Sequence, residues 1–509
     1  TCRMSRFARS TLIVAVFFGL EKVLGFARQM LIARQFGLSA ELDAFNAANN
    51  LPDLLFVLVS GGTLALAFIP VLSEYLEKKG RPAAWDLFSR IANLVFLVAA
   101  GLSIVIALLA DQLVRGVVTP GFSLEQQRLV ADLMRLNLIS TLIFSLSGLV
   151  MSGLQANQHF LLPALAPSMY DLGMLFGVII LAPETGYQLG PVQLPAFGLG
   201  IHGLVYGGIL GAVLYLGIQV PGLLRYGFRW TPAIQLRHPG VQQVLRLLGP
   251  RMITVGFIQL VFILQDNFAS WLVEGSVSAL VYGWLFMQVP ETIIGTAIAT
   301  VLLPTISEQV ARGDDAGFRE SLNKAARVIL ALTIPIAGLL MMGLRPLVGL
   351  LGFDAGSADL VAWTGRAYMA GLMGHALLEI AARGFYARQN AVTPMILSGL
   401  ATLIFAGLAW VLARPLGAPG IALANTVAYT TEALILWWLH NRRMPGVLQV
   451  GGTLKRAVPA ALLGTAVVYG VLQLPLDIPV LLLGVGGLLA GGLVVLPFVW
   501  KEIRLLGRF

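Results

Sequence analysis

The chain has 509 residues, 57% of them hydrophobic and only 12% charged, with a mean hydropathy of +0.83; this excludes a soluble enzyme of ordinary composition and marks a polytopic membrane protein. Its 34 Lys+Arg against 25 Asp+Glu leave a net charge of +9, which needs no nucleic acid to explain it, because cytoplasmic loops of membrane proteins are enriched in Lys and Arg. The single cysteine, Cys2, excludes an intrachain disulfide and a cysteine metal cluster, and the histidines show no paired metal spacing.

Arg3, Arg6 and Arg9 precede the first apolar run, as at the start of a signal peptide, but the run continues through Lys22 with no small-residue cleavage site, so a retained first helix is expected. Windows of about twenty apolar residues, enough to cross a bilayer, fall near 10–34, 43–70, 88–110, 127–152, 159–182, 196–222, 245–273, 276–304, 322–344, 357–382, 392–413, 418–439, 455–474 and 478–500. The expectation is an all-α integral membrane protein of about fourteen transmembrane helices. Lys and Arg concentrate in alternate connections, including Lys78, Lys79 and Arg81, Arg225 to Arg246, Arg312 to Arg327, and Arg442 to Arg456. By the positive-inside rule both termini then lie in the cytoplasm. The longest connection, Arg225 to Arg246, is basic and fits an amphipathic helix on the inner leaflet.

The first helix carries Glu21, Lys22, Arg28 and Gln29 where a plain anchor would carry leucines. At roughly 100° per residue these side chains and Gly25 fall within an arc of about 120°. A charge at mid-membrane depth costs about 2.5 to 3.5 kcal/mol on the mildest scale, so such groups face a bundle interior or a wet cavity. One reading is a polar cavity lined by this helix; the other is a cluster that pins helices together. The second window holds Asp43, then Asp53 after Pro52, then Gly61-Gly62. Pro and paired Gly suit either a broken helix whose freed backbone lines a cavity or close helix packing. Further on, Arg251 and Gln265-Asp266-Asn267 lie in the seventh window and Arg366 in the tenth. Asp266 with its amide neighbours suits a cation or proton site, since hard cations take oxygen ligands, and equally suits an ion pair with a neighbouring helix. His375, Glu379 and Arg383 share one helix face, with Glu379 and Arg383 in the favourable i,i+4 order. No phosphate loop, nucleophile elbow or metal motif occurs, and the loops hold no soluble head, so an enzyme is not expected.

An internal repeat runs through the chain. Gly153-Leu-Gln-Ala156-Asn-Gln158 with Pro163 matches Gly384-Phe-Tyr-Ala387-Arg-Gln389 with Pro394, and Ile69-Pro70-Val-Leu-Ser73-Glu74 matches Leu303-Pro304-Thr-Ile-Ser307-Glu308 at nearly the same spacing. Two motifs in the same order indicate two homologous six-helix lobes, 1–225 and 226–440, followed by a helix pair, 441–509. An even number of crossings returns the chain to its starting side. The repeat is therefore parallel, an arrangement of transporters with the site between lobes.

These residues carry a resemblance to the MurJ/MviN family, the lipid II flippases of the multidrug/oligosaccharidyl-lipid/polysaccharide exporter superfamily. Its carriers are Val23-Leu-Gly-Phe-Ala-Arg28, Asp43-Ala-Phe45, Ala67-Phe-Ile-Pro70-Val-Leu-Ser-Glu74, Pro163-Ala-Leu-Ala-Pro167, Gly275-Ser-Val-Ser278, and Phe385-Tyr-Ala-Arg-Gln389 with Thr393-Pro394. The resemblance implies transfer of undecaprenyl-pyrophosphate-linked peptidoglycan precursor from the inner to the outer leaflet of the bacterial inner membrane, by alternating access of a cationic central cavity. Glu21, Lys22, Arg28, Asp43, Asp53, Gly61, Gly62, Arg251 and Arg366 are the expected substrate-binding set. Asp266 resembles the carboxylate of the family's sodium site, for which the eleventh window offers only Ser398 and Thr402 as further polar ligands. No cofactor is implied beyond a coupling monovalent cation. The expected partners are the lipid-linked precursor and membrane lipids, with no nucleic acid, and the chain is expected to be a monomer. The family's Ser-Arg and Arg-Asp pairs in the first helix are replaced here by Glu21-Lys22 and Arg28-Gln29, its basic position in the second helix by Phe56-Val57, and the Asp-Arg of its eighth helix by Trp284-Leu285. A cation or drug antiporter, or a flippase of another lipid-linked oligosaccharide, is the alternative on the same scaffold.

Overall fold

Hydrophobic windows this long have one way to satisfy their backbone in lipid, which is to close every hydrogen bond within the segment as helix. The computed structural model, which describes residues 6–59 and 62–506, is accordingly built from helices with one short hairpin, β1 (Gln188–Leu189) and β2 (Val192–Gln193). The chain divides into two compact units, Thr1–Ile263 and Leu264–Phe509.

The first unit contains α1 (Arg6–Phe36), α2 (Ala40–Ala48), α3 (Asn50–Val59), α4 (Gly62–Lys78), α5 (Gly80–Leu108), α6 (Ala110–Leu113), α7 (Leu124–Ala156), α8 (Leu161–Phe176), α9 (Ile201–Arg225) and most of α10 (Pro239–Ala269). The second contains α11 (Ser276–Glu291), α12 (Ala297–Ala311), α13 (Asp315–Val348), α14 (Ala355–Met369), α15 (Leu372–Ala387), α16 (Val392–Leu416), α17 (Ala418–Arg443), α18 (Gly451–Leu472) and α19 (Val480–Leu506). Among the described residues ten helices are long and apolar enough to cross a membrane. The remaining expected windows fall on α1, on the interrupted run α2 to α4, on α14 and α15 divided at Ala370-Gly371, and on the more polar α17.

Interruptions follow local chemistry. Pro52 has no N–H to offer the carbonyl of Ala48, and the helix breaks at Asn49 between α2 and α3. After Pro290 the α11 ladder widens into a π turn, Thr292–Thr296, before α12. The connection 226–238 corrects the expected amphipathic helix. It is an extended strap docked on α5, where Trp85 Nε1 donates to the Tyr226 carbonyl at 3.2 Å, Asn93 Nδ2 donates to the Thr231 and Ala233 carbonyls at 2.9 Å, and Trp230 Nε1 donates to Asn93 Oδ1 at 2.8 Å. Side chains of α5 take up the carbonyls of Tyr226, Thr231 and Ala233 and the N–H of Thr231, which favours the extended path over a helix.

The repeated motifs have repeated local structures. Among the described residues, Gln158 and Gln389 are the non-glycine residues with positive φ, at 58° and 57°, and each follows the last turn of a helix. His159 N–H donates back to the Leu154 carbonyl at 2.9 Å and Asn390 N–H to that of Phe385 at 3.0 Å, the six-to-one bond of a Schellman cap. Gly200 and Gly417, with φ of 53° and 64° and strongly negative ψ, open α9 and α17 in a conformation that a Cβ would forbid. In the other motif, Glu74 pairs with Lys78 at 2.9 Å, and Glu308 pairs with Arg312 in the same i,i+4 relation.

Each unit has its own core. Phe68, Trp85, Phe88, Leu138, Leu154 and Val244 pack in the first, and Phe318, Leu322, Ile380, Phe385 and Trp437 in the second. Helices α8 and α9 of the first unit approach closely along their glycines. A Cβ added at Gly173 would lie 2.3 Å from the Gly211 backbone, and one at Gly207 would lie 2.7 Å from Gly177 Cα. Small residues at four-residue spacing thus let two backbones touch, which substitutes for the hydrophobic driving force that lipid does not supply.

Candidate functional site

In the first helix, Glu21, Gly25 and Arg28 fall on the stripe that faces α8. Arg28 Nη1 meets Asp171 Oδ1 at 2.7 Å, with the side chains 19% and 5% exposed. Gly25 leaves room for this carboxylate, since a Cβ there would sit 3.7 Å from Asp171 Oδ2. The Arg28 guanidinium also stacks 5.6 Å from the Tyr170 ring. Its Nε is buried and has no protein partner. Lys22 is 76% exposed and pairs with Glu21 at 3.2 Å. Lys22 and Arg28 therefore both have carboxylate partners. Asp171 is absent from the expected set; the signal for it was a lone acid in the apolar window 159–182, the same criterion that singled out the first helix.

Behind Tyr170 lies a cavity of about 260 Å³ within the first unit, lined by Asn49, Asp53, Phe56, Asn137, Ser140, Tyr170 and Tyr215 among others. The break at Asn49 positions its polar wall. Asn137 Nδ2 donates to Asn49 Oδ1 at 2.9 Å, and the Thr141 hydroxyl donates to the Asn137 carbonyl at 3.2 Å. Its other wall is aromatic, with Phe144 edge-on to Phe56, Tyr170 and Tyr215 at 5.4 to 5.7 Å. Asp53 is exposed to this space, while Ser140 Oγ is buried without a protein partner. A carboxylate among amide and hydroxyl oxygens can hold a cation or a proton. The same wall offers a phosphate no cation of its own.

Asp43, by contrast, is buried in α2 near the Ser39 cap. Gly61 lies outside the described residues and Gly62 opens α4. The side chain of Arg251, on α10, and those of Arg3, Arg6 and Arg9 also lie outside the described residues.

In the second unit Asp266 is buried beside Gln265, whose Oε1 accepts from Tyr368 Oη at 2.6 Å. Trp284 bridges this bond to His375, with ring centroids 5.4 Å from both Tyr368 and His375. The His375 ring in turn meets Asn425 Oδ1 at 3.1 Å. Among the described residues no three His, Cys, Asp or Glu side chains converge on a metal position. Ser398 and Thr402 are buried on α16, where the Thr402 hydroxyl donates to the Ser398 carbonyl at 2.9 Å. Arg366 Nε donates to the Met341 carbonyl at 2.8 Å and its guanidinium lies 4.6 Å from the ring of exposed Trp363. Glu379 and Arg383 form the expected i,i+4 pair at 2.9 Å.

The family described as Lipid II flippase MurJ matches residues 32–478. The lipid II flippase MurJ of Burkholderia cenocepacia is 31% identical over 439 residues, covering 84% of this chain and 83% of that protein. A probable lipid II flippase MurJ of Rhizobium meliloti is 29% identical over 426 residues, covering 82% and 77%. Among solved structures, a lipid II flippase MurJ in an inward closed conformation superposes with a TM-score of 0.81 at 23% identity, covering 97% of this chain and 99% of that one. An inward-facing multidrug resistance MATE family transporter does so with a TM-score of 0.66 at 15% identity, covering 84% and 95%. Both structural likenesses concern the fold.

Proposed function

The chain belongs to the MurJ family of lipid II flippases, and from that premise we propose that it moves undecaprenyl-pyrophosphate-linked peptidoglycan precursor from the inner to the outer leaflet of the bacterial inner membrane by alternating access. It is a multi-pass transporter and not an enzyme. The observation that carries this reading is the family match across residues 32–478, over a helical scaffold of the same fold. The lobe division 1–225, 226–440 and 441–509, cytoplasmic termini and a monomeric state belong to the same reading. Pyrophosphate takes Arg and Lys partners. Lys22 and Arg28, with Arg251 and Arg366, are assigned to it, with Glu21, Asp43, Asp53 and the Gly61-Gly62 pair shaping the path. Support comes from Arg28: its ion pair with Asp171 uses one terminal nitrogen and leaves Nε unpartnered, so the guanidinium has donors to offer a second oxyanion. No cofactor is required. Export of negative charge from a negative-inside cell gains about 2.3 kcal/mol per charge per 100 mV, and a monovalent cation at Asp266 is assigned as the coupling ion.

The test is binding and flipping of lipid II by the purified protein in proteoliposomes, beside a non-peptidoglycan undecaprenyl-pyrophosphate sugar. Arg28→Ala should weaken lipid II binding by about tenfold or more, which is 1.4 kcal/mol. Wild-type protein that neither binds nor flips either pyrophosphate lipid would overturn the reading. One observation favours a second reading, a cation or drug antiporter: Asp53 opens onto a cavity whose named walls carry no cation. That reading requires a cationic substrate to bind in competition with protons and Asp53→Asn to abolish it.

A further inference from the structure

At the Gly451 end of α18 and the Leu506 end of α19 lies a cavity of about 390 Å³ lined by Arg327, Gln449, Gly452, Thr453, Arg456 and Lys501. Three cations thus surround one space. A single carboxylate organises two of them: Glu502, 1% exposed, accepts from Arg456 Nη2 and, at 3.4 Å, from Arg327 Nη2. The Thr453 hydroxyl lies between, 3.4 Å from Glu502 Oε1 and 3.3 Å from Arg327 Nε. One buried anion holds the two guanidiniums together against their repulsion but does not cancel them with Lys501 added. Arg456 Nε is buried without a protein partner. Gln449 adds a side-chain amide to the wall, and a Cβ at Gly452 would meet nothing within 4 Å, so the first turn of α18 leaves the space open.

We infer that this cavity binds a phosphate-bearing anion, and that its occupant is the headgroup of an anionic membrane phospholipid. Phosphate is the chemistry because planar guanidinium forks grip its oxygens through paired N–H bonds while an ammonium adds a point charge. The lipid source follows from depth. Both helices are long and apolar enough to span, and the cavity sits at their ends, where basic pockets between transmembrane helices meet lipid headgroups. Trp500, 44% exposed on α19 and 5.5 Å beneath the Arg504 guanidinium, is an interfacial anchor at the same level. Val458 and Leu462 on α18 and Leu493 and Leu496 on α19 are exposed further along the helices, giving acyl chains an apolar surface to lie on. The site is independent of the proposed transport path, since none of its residues belongs to the set assigned to the precursor.

The experiment uses full-length protein stripped of lipid in detergent, titrated with phosphatidylglycerol, phosphatidylcholine or sodium phosphate and followed by native mass spectrometry and melting temperature. Lys501→Glu and Gly452→Asp place a negative charge in the cavity while leaving the Arg327, Glu502 and Arg456 cluster intact. Lys455→Glu changes the same charge on the adjacent residue, which is not part of the lining. Wild type should bind phosphatidylglycerol in preference to phosphatidylcholine. Lys501→Glu and Gly452→Asp should each weaken that binding by about tenfold or more, and Lys455→Glu by far less. Without lipid, all three variants should melt with wild type, which controls for folding. Protection by sodium phosphate equal to that by phosphatidylglycerol overturns the lipid assignment in favour of a soluble anion. Equal binding by all variants, or no preference for the anionic lipid, overturns the site.

Discussion

Asp171→Asn isolates the ion pair on which the first helix is seated. In wild type the carboxylate and the Arg28 guanidinium are in contact at 2.7 Å, both largely removed from solvent. Two unit charges about 4 Å apart attract by about 4 kcal/mol at an effective dielectric constant near 20, and desolvation of both groups offsets much of that. The substitution does not simply subtract this attraction. It leaves the Arg28 charge buried with its Nε already unpartnered, and removing one member of a buried pair costs about 3 to 5 kcal/mol. Replacing both members, Arg28→Gln with Asp171→Asn, removes the orphaned charge, and the loss should shrink to about 1 kcal/mol, within the range of interhelical polar contacts in membranes. Denaturant-titrated unfolding in mixed micelles, read by tryptophan fluorescence on the four proteins of the cycle, measures the coupling. Asp171→Asn within about 0.5 kcal/mol of wild type, or a cycle that is additive, would refute the reasoning. Lipid II binding separates seat from site. If Arg28 also contacts pyrophosphate, Asp171→Asn retains binding in the protein that stays folded, whereas Arg28→Ala loses it.

Three further outcomes follow from the packing. Gly207→Ala places a methyl 2.7 Å from Gly177 Cα and 2.8 Å from the Gly173 carbonyl oxygen; backbone cannot step aside, so about 1 to 3 kcal/mol of stability should be lost, while Gly217→Ala on the same helix, with nothing within 4 Å, should be neutral or slightly stabilising in the same melting assay. Tyr368→Phe removes the 2.6 Å bond to Gln265 and leaves a buried amide oxygen unsatisfied; a loss of about 1 kcal/mol is expected, and unchanged unfolding would show that Gln265 finds another donor. His238, at the end of the strap, is held below the ordinary histidine range by burial and by the Arg90 charge. Its neutral form is therefore the one the fold prefers, with full strap stability above the unfolded value near 6.5 and progressive loss as pH falls from there toward the folded pKa. Trp230 fluorescence should report that loosening on acidification, and His238→Gln should flatten the curve.

How much was legible in the residues depends on the range of the interaction. Hydrophobic windows marked the spans because lipid forces local hydrogen bonding, yet two windows each counted as one span, 43–70 and 357–382, are interrupted in the structure. Pro52 announced the first break; the division at Ala370-Gly371 carries no comparable signal, and Gly371 lies there because Thr426 of α17 comes within 2.6 Å of where its Cβ would be.

What the sequence by itself determined is whatever a residue settles with its near neighbours along the chain. Membrane class, helix ends, and the repeated caps at Gln158 and Gln389 are of this kind, because a left-handed residue closing a helix requires only its own last turn. The i,i+4 pair of Glu379 with Arg383 is another. Tertiary structure alone decided the partners across helices: Asp171 for Arg28, Glu502 for Arg327 and Arg456, and α5 for the strap 226–238. A charge in an apolar run announces that it must be compensated, since leaving it bare in lipid is too costly. Which helix brings the compensation depends on how whole helices pack, and α8, which carries Asp171, is packed against α9 along the glycine seam.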